Sequence, residues 1–123
     1  MKINRIVVFC ILVVVCVIVF LLKNHNPFIG QYHSAEIMNG NTGEVYQIEQ
    51  SRMEDFITEL SELDARFSGL QLLWTSGYEF RIILHRNNDV KDVFIYGEHD
   101  LQSGHIKYRT ERNILQTIDA YLD

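Results

Sequence analysis

The chain has 123 residues, 47% of them hydrophobic and 22% charged, with one proline and a formal charge of −5. That balance excludes a disordered or collagen-like chain, and the length leaves room for at most one ordinary domain. The charge is unevenly spread. All 16 acidic residues stand at Glu36 or later, while Lys2, Arg5 and Lys23, three of the 11 basic residues, flank an uncharged run over residues 6–22. From Asn24 onward, eight basic residues face 16 acidic ones, a formal charge of −8.

Residues 6–22 are almost wholly Val, Ile, Leu, Phe and Cys. As a helix they would span about 26 Å, the short end of what crosses a bilayer core. Arg5 and Lys23 lengthen it, because their long side chains reach the headgroup region. A core helix apolar on every face does not suit a domain of about 100 residues. A cleaved signal peptide is the competing reading, but the apolar run is long for one and no A-x-A site follows it. Cys16 is a poor lipidation site, since Val15 precedes it and apolar residues follow. Cys10 and Cys16 read as small fillers of a membrane helix. Lys2 and Arg5 before the run, against Lys23 alone after it, place the N-terminus in the cytoplasm and the rest outside. Residues 1–23 are thus expected to be a transmembrane signal-anchor helix. Residues 24–30 are expected to be a linker, and residues 31–123 an extracytoplasmic domain.

Residues 31–38 alternate as a strand, with Ala35 and Ile37 on one side. Asn39-Gly40-Asn41-Thr42-Gly43 turns the chain back, and residues 44–49 make the second strand of a hairpin. Ser51, with Glu54 three residues on, has the form of a capping box. Met53, Phe56, Ile57, Leu60, Leu63 and Phe67 follow at helical steps, so a helix from Ser51 to Phe67 is expected, closed by Ser68-Gly69. Glu54, Asp55, Glu59, Glu62 and Asp64 read as its solvated face.

The period then becomes two. Residues 70–74, 78–86, 90–96 and 101–108 read as strands, separated by Thr75-Ser76-Gly77, Asn87-Asn88-Asp89 and the turn at 97–100. Tyr78, Phe80, Ile82 and Leu84 face the core, and Glu79, Arg81, Ile83 and His85 the other side. Thr110 caps a last helix, with Leu115, Ile118 and Leu122 docking on the sheet. The expected class is α+β: a two-layer domain in the order ββαββββα, with a mostly antiparallel sheet and two packed helices.

Chemistry-bearing motifs are sparse. Glu98, His99, Asp100 and His105 are the densest group able to hold a metal ion, but their spacing fits no established ligand pattern. Ser76 in Thr-Ser-Gly reads as turn chemistry, outside any G-x-S-x-G context. No glycine loop precedes a helix in a phosphate-binding pattern. Lys107, Arg109 and Arg112 are interrupted by Glu111, and a charge of −8 opposes nucleic-acid binding. Tyr32, Tyr46, Trp74, Tyr78, Tyr96 and Tyr108 fall on or near strands, where aromatics pack well and also furnish protein-binding surfaces.

The run from Ile37 to Ile48 around Asn39-Gly40-Asn41-Thr42-Gly43, the capped helix over 51–63, and Gly77-Tyr78-Glu79-Phe80-Arg81-Ile82 together resemble small extracytoplasmic domains of membrane-anchored or lipoprotein-like proteins of Gram-positive bacteria. That resemblance covers residues 31–123 in layout. It implies an anchored α+β domain with no assigned activity, and it supplies no catalytic residue. The expectation is a single-pass protein that binds a protein partner outside the cell, in an accessory, immunity or exclusion role. It would have no catalytic site, no cofactor and no nucleic-acid partner. The alternative is a metal- or ligand-dependent sensor or enzyme using residues 98–105.

Overall fold

A computed structural model of the chain describes residues 2–24, 26–28, 30–71 and 77–122. The first element, α1 (Lys2–Asn24), is a helix of 23 residues. Its side chains are described over residues 4–20, and all of them are exposed. Among the described residues no helix is long and apolar enough to cross a membrane. The described apolar stretch, 6–20, rises only about 22 Å against a hydrocarbon core of about 30 Å.

The segment expected to be a linker is packed against the domain. Phe28 is fully buried in the core. Asn26 holds it there: Nδ2 donates to the Ser61 carbonyl at 2.9 Å, and Oδ1 accepts the Phe28 N–H at 2.9 Å. A buried amide bonded at both ends is stabilising, whereas one left unpaired would cost about 1–3 kcal/mol.

The expected first hairpin forms from β1 (Ser34–Asn39) and β2 (Val45–Gln47), paired antiparallel with Ile37 opposite Tyr46. Asn39 organises the loop. Its Oδ1 accepts the N–H groups of Asn41 and Thr42, and its backbone carbonyl accepts the Gly43 N–H at 2.8 Å. Gly43 takes φ 75°, a conformation that costs glycine little.

The expected capping box is not formed. A 3-10 turn (Gln50–Arg52) comes first, so Ser51 sits inside that turn, and α2 (Met53–Ser61) begins two residues later without a side-chain cap. Glu54 and Asp55 in its first turn complement the positive end of the helix. Met53, Phe56 and Leu60 are buried. The helix stops well short of Phe67. Asp64, at φ 54°, breaks the helical path. The chain then enters β3 (Arg66–Leu70), which pairs with a strand forty residues on. The expected strand over 70–74 meets β3 only at Leu70, and residues 72–76, Trp74 and Ser76 among them, lie outside the described residues.

Next come β4 (Phe80–His85), β5 (Val90–Ile95), β6 (Asp100–Ser103) and β7 (Ile106–Arg109). The single strand expected over 101–108 is divided at Gly104, φ 61°, which turns the chain between β6 and β7. Among the described residues five strands, not four, therefore follow α2. The last helix, α3 (Ile114–Asp119), is capped by Asn113, whose side chain accepts the N–H groups of Leu115 and Gln116. Thr110 is not the cap. It is buried, and its hydroxyl donates to the Arg112 carbonyl at 2.7 Å.

The seven strands of the described residues form one antiparallel sheet in the order β2-β1-β4-β5-β6-β7-β3. The fold is α+β, as expected. One face carries Ala35, Ile37, Ile82, Leu84, Val93, Ile95, Leu101 and Tyr108, all buried, and this core is completed by Phe28, Phe56, Leu60, Ile114 and Ile118. Each large side chain hidden in this way stabilises the fold by about 1.5–3 kcal/mol. Leu115 and Leu122 pack only partly against the core, and Tyr121 takes a buried place beside Ile118.

Candidate functional site

The opposite face of the sheet has no helix layer among the described elements, and its residues follow from strand register. Arg81 stands opposite Phe94, and Phe94 opposite Gln102. Glu36 stands opposite Ile83, and Ile83 opposite Asp92. Two ion pairs lie across these rows. Arg81 donates from Nε and Nη2 to Asp92 Oδ1 at 3.1 and 2.9 Å, a diagonal cross-strand contact. His85 Nε2 lies 3.2 Å from Glu36 Oε1, ionic only when His85 is protonated. Arg81 and Asp92 are 32% and 34% exposed, so water weakens their attraction, and pairs of this kind contribute about 0.2–1 kcal/mol.

Gly77, at φ 86°, lets the chain depart from strict alternation just before β4. Tyr78 then lies edge-on to Phe94, ring centres 5.0 Å apart, instead of joining Phe80 on the core side. The Arg81 guanidinium lies 5.6 Å from the Phe94 ring centre. Tyr78, Arg81, Asp92, Phe94, Tyr96 and Gln102 thus line a shallow depression of about 520 Å³ that continues to Arg86, Val90 and Lys91.

The far end of the depression has a backbone feature. β5 pairs with β4 at all six of its positions, but with β6 only at Phe94 and Ile95. β6 turns away at Gly104, and the Asp92 carbonyl accepts the Ser103 hydroxyl at 3.2 Å in place of a strand partner. Cations surround this end. Arg86 is held by both carboxylate oxygens of Asp89, at 2.8 and 2.7 Å, which raises its pKa further above the ordinary value. Lys91 is shifted down, by partial burial first and by Arg86 second.

The residues singled out in the sequence fall elsewhere. His99, just before β6, donates from Nδ1 to the Thr110 carbonyl at 3.0 Å. His105, in the turn after β6, donates from Nδ1 to the Gln71 carbonyl at 3.1 Å. They occupy opposite ends of one strand. Glu98 uses its backbone carbonyl to accept the Ile114 N–H at 2.8 Å, and Asp100 stands opposite Arg109. Among the described residues no group of three or more His, Cys, Asp or Glu side chains is placed to hold a metal ion. Cys10 and Cys16 are free and exposed on α1. Of the tyrosines, Tyr108 is buried, Tyr46 donates to Glu44 at 2.5 Å, and Tyr78 and Tyr96 reach the depression. The acidic side chains of α2 at Glu54, Asp55 and Glu59, and that of Glu62 just after it, are exposed, while Asp64 is half-buried.

Sequence reasoning placed Arg81 on the mixed face but missed its grouping with Asp92 and Phe94. The signal was the Asn87-Asn88-Asp89 turn, which fixes the β4–β5 register. No family model, curated protein or solved structure matches the chain.

Proposed function

We propose that the chain is a single-pass membrane protein whose acidic α+β domain stands outside the cell and works by binding a protein partner. Its role would be accessory, immunity- or exclusion-type, without catalysis. The observation that carries this reading is the uncharged surface of α1 from Ile6 to Phe20, whose side chains are all exposed and take no part in the core of the domain. Such a surface is unfavourable in water unless lipid or another protein covers it. The whole helix, Lys2–Asn24, is about 35 Å long, and Lys2, Arg5 and Lys23 stand where a bilayer has its headgroups. The basic bias ahead of the run favours an N-terminus in the cytoplasm. Protein binding is supported by the uncovered sheet face, where aromatic rings and arginine occur together, as they do in interface cores. The layout-level resemblance to anchored extracytoplasmic domains of Gram-positive bacteria agrees with this.

Topology is the first test. A reporter fused after Asp123 that matures only outside the cytoplasm should be active, and the intact N-terminus should be recovered by mass spectrometry from the membrane fraction. Activity of a cytoplasm-only reporter at the same junction would overturn the reading. Replacing residues 6–22 with an unrelated membrane span should leave partner binding intact. Its loss would move the contact surface to α1.

A further inference from the structure

We propose that the gap beside the first half of β5 is a strand-addition site for an extended, acidic peptide segment of the partner protein. This rests on the protein-binding reading and gives the partner a chemistry. Along β5 the backbone groups alternate in direction. Arg86 donates to Asp89 at the β4 side, and Tyr96 donates to Asp100 at the β6 side, so even-numbered residues of β5 address β6. Val90 and Asp92 therefore point their backbone groups into the gap. The Asp92 carbonyl is taken by Ser103. The Asp92 N–H and both backbone groups of Val90 have no backbone partner on that side among the described residues. An unpaired strand edge is a template for another strand, which main-chain bonds hold and side-chain pockets select.

Charge selects the kind of strand. Asp92 is engaged by Arg81 and Asp89 by Arg86, which leaves Lys91 as a half-buried cation with no ion-pair partner among the described residues. Three cations, Arg81, Arg86 and Lys91, and one carboxylate, Asp92, thus line the depression, which leaves the charge of Lys91 unmatched in a domain whose formal charge is −8. A carboxylate entering there would pair with Lys91, whereas a basic peptide would meet like charge. The Val90 side chain, 49% exposed, offers an apolar contact for the alternate residues of the incoming strand.

The test is a titration of the isotope-labelled full chain in detergent micelles, followed through backbone amide signals. The probe is a capped six-residue peptide alternating valine and glutamate. The controls are its valine–lysine counterpart and inorganic phosphate. The amides of Val90 and Asp92 should shift saturably, with Kd below about 1 mM, and neither control should move them. Lys91→Glu should weaken binding by about tenfold or more. Val90→Pro should abolish it, because proline removes one donor facing the gap and is tolerated at the first residue of a strand. Unchanged β4 signals show that each variant is folded. No shift at these amides, an equal response to the lysine peptide, or a Lys91→Glu protein that binds like wild type would overturn the proposal. Phosphate reproducing the shifts would replace it with a simple anion site. A photo-crosslinker at Val90 or at Glu59 in cells separates this from the parent reading. A partner captured only from Glu59, with no peptide response, overturns strand addition alone. Capture from neither position overturns protein binding itself.

Discussion

At Gly40 a Cβ would lie 2.0 Å from the carbonyl oxygen of Tyr78, while the Gly40 N–H already donates to Glu79 at 2.7 Å. The obstacle is rigid backbone at the approach to β4, so Gly40→Ala should cost about 1–3 kcal/mol or more. The measurement is the urea midpoint at constant slope, and an unchanged midpoint would mean that the β1–β2 loop can move away from Tyr78. Helix starts give a second comparison. Ser51→Ala should change stability by less than about 0.5 kcal/mol, because Ser51 heads no helix. Asn113→Ala should cost about 1 kcal/mol, since its side chain accepts two N–H groups of α3. The opposite ranking would restore the capping box. These sites also show where the sequence misled. Ser51 and Glu54 satisfy the local rule for a cap, but the 3-10 turn ahead of Met53 displaces the helix start. Thr110 has the right residue type, but its hydroxyl is committed to Arg112 and Asn113 does the work.

Among the elements, β1, β4 and β5 were legible because each alternates between a buried and an uncovered face, and β2 because the Asn39–Gly43 turn returns the chain beside β1. The same alternation placed Phe80, Ile82 and Leu84 correctly. β3 was not legible. Phe67 falls at a helical step from Leu63, and only the left-handed Asp64 and the need of β7 for an outer partner decide the matter; the second is a non-local cause. Of the candidate site, the sequence reading reached only the place of Arg81 on the face away from the core; its position opposite Phe94 follows from the Asn87-Asn88-Asp89 turn. The swing of Tyr78 at Gly77 and the shortness of β6 were not legible, because both depend on how separate strands meet. The α2–α3 junction carries a prediction of its own. Tyr121 packs edge-on against Phe56, ring centres 4.9 Å apart, beneath the Arg52 guanidinium at 4.3 Å. Burial and a hydrogen bond to Glu59 push its phenol up from 10.0 to about 12. The folded state therefore favours the neutral phenol. The resulting stability is fully present below pH 10 and is lost as pH rises from 10 towards 12. Unfolding free energy measured across that window should fall more steeply for wild type than for Tyr121→Phe. Parallel curves would mean that the phenol is not held neutral by the fold.

Taken whole, the molecule is one sheet whose two edge strands enter from different parts of the chain. β2 is a short edge of three residues, and β3 closes the other side, alongside α1. A short edge such as β2 resists adventitious pairing between molecules. The order β2-β1-β4-β5-β6-β7-β3 also has a consequence in time. From β4 to β7 every strand pairs with its neighbour in sequence, whereas β1 must find β4 and β3 must find β7 across the whole intervening chain. Local hairpins close in microseconds, and long loops add entropy to every later closure. The β4–β7 meander is therefore the expected nucleus, with β3 the late arrival. Val93→Ala should chiefly slow refolding, and Phe67→Ala should chiefly speed unfolding, as the two arms of a stopped-flow chevron would separate. The strand that seals the sheet would then be the first to let go, and the lifetime of the folded domain would be set at the edge beside α1.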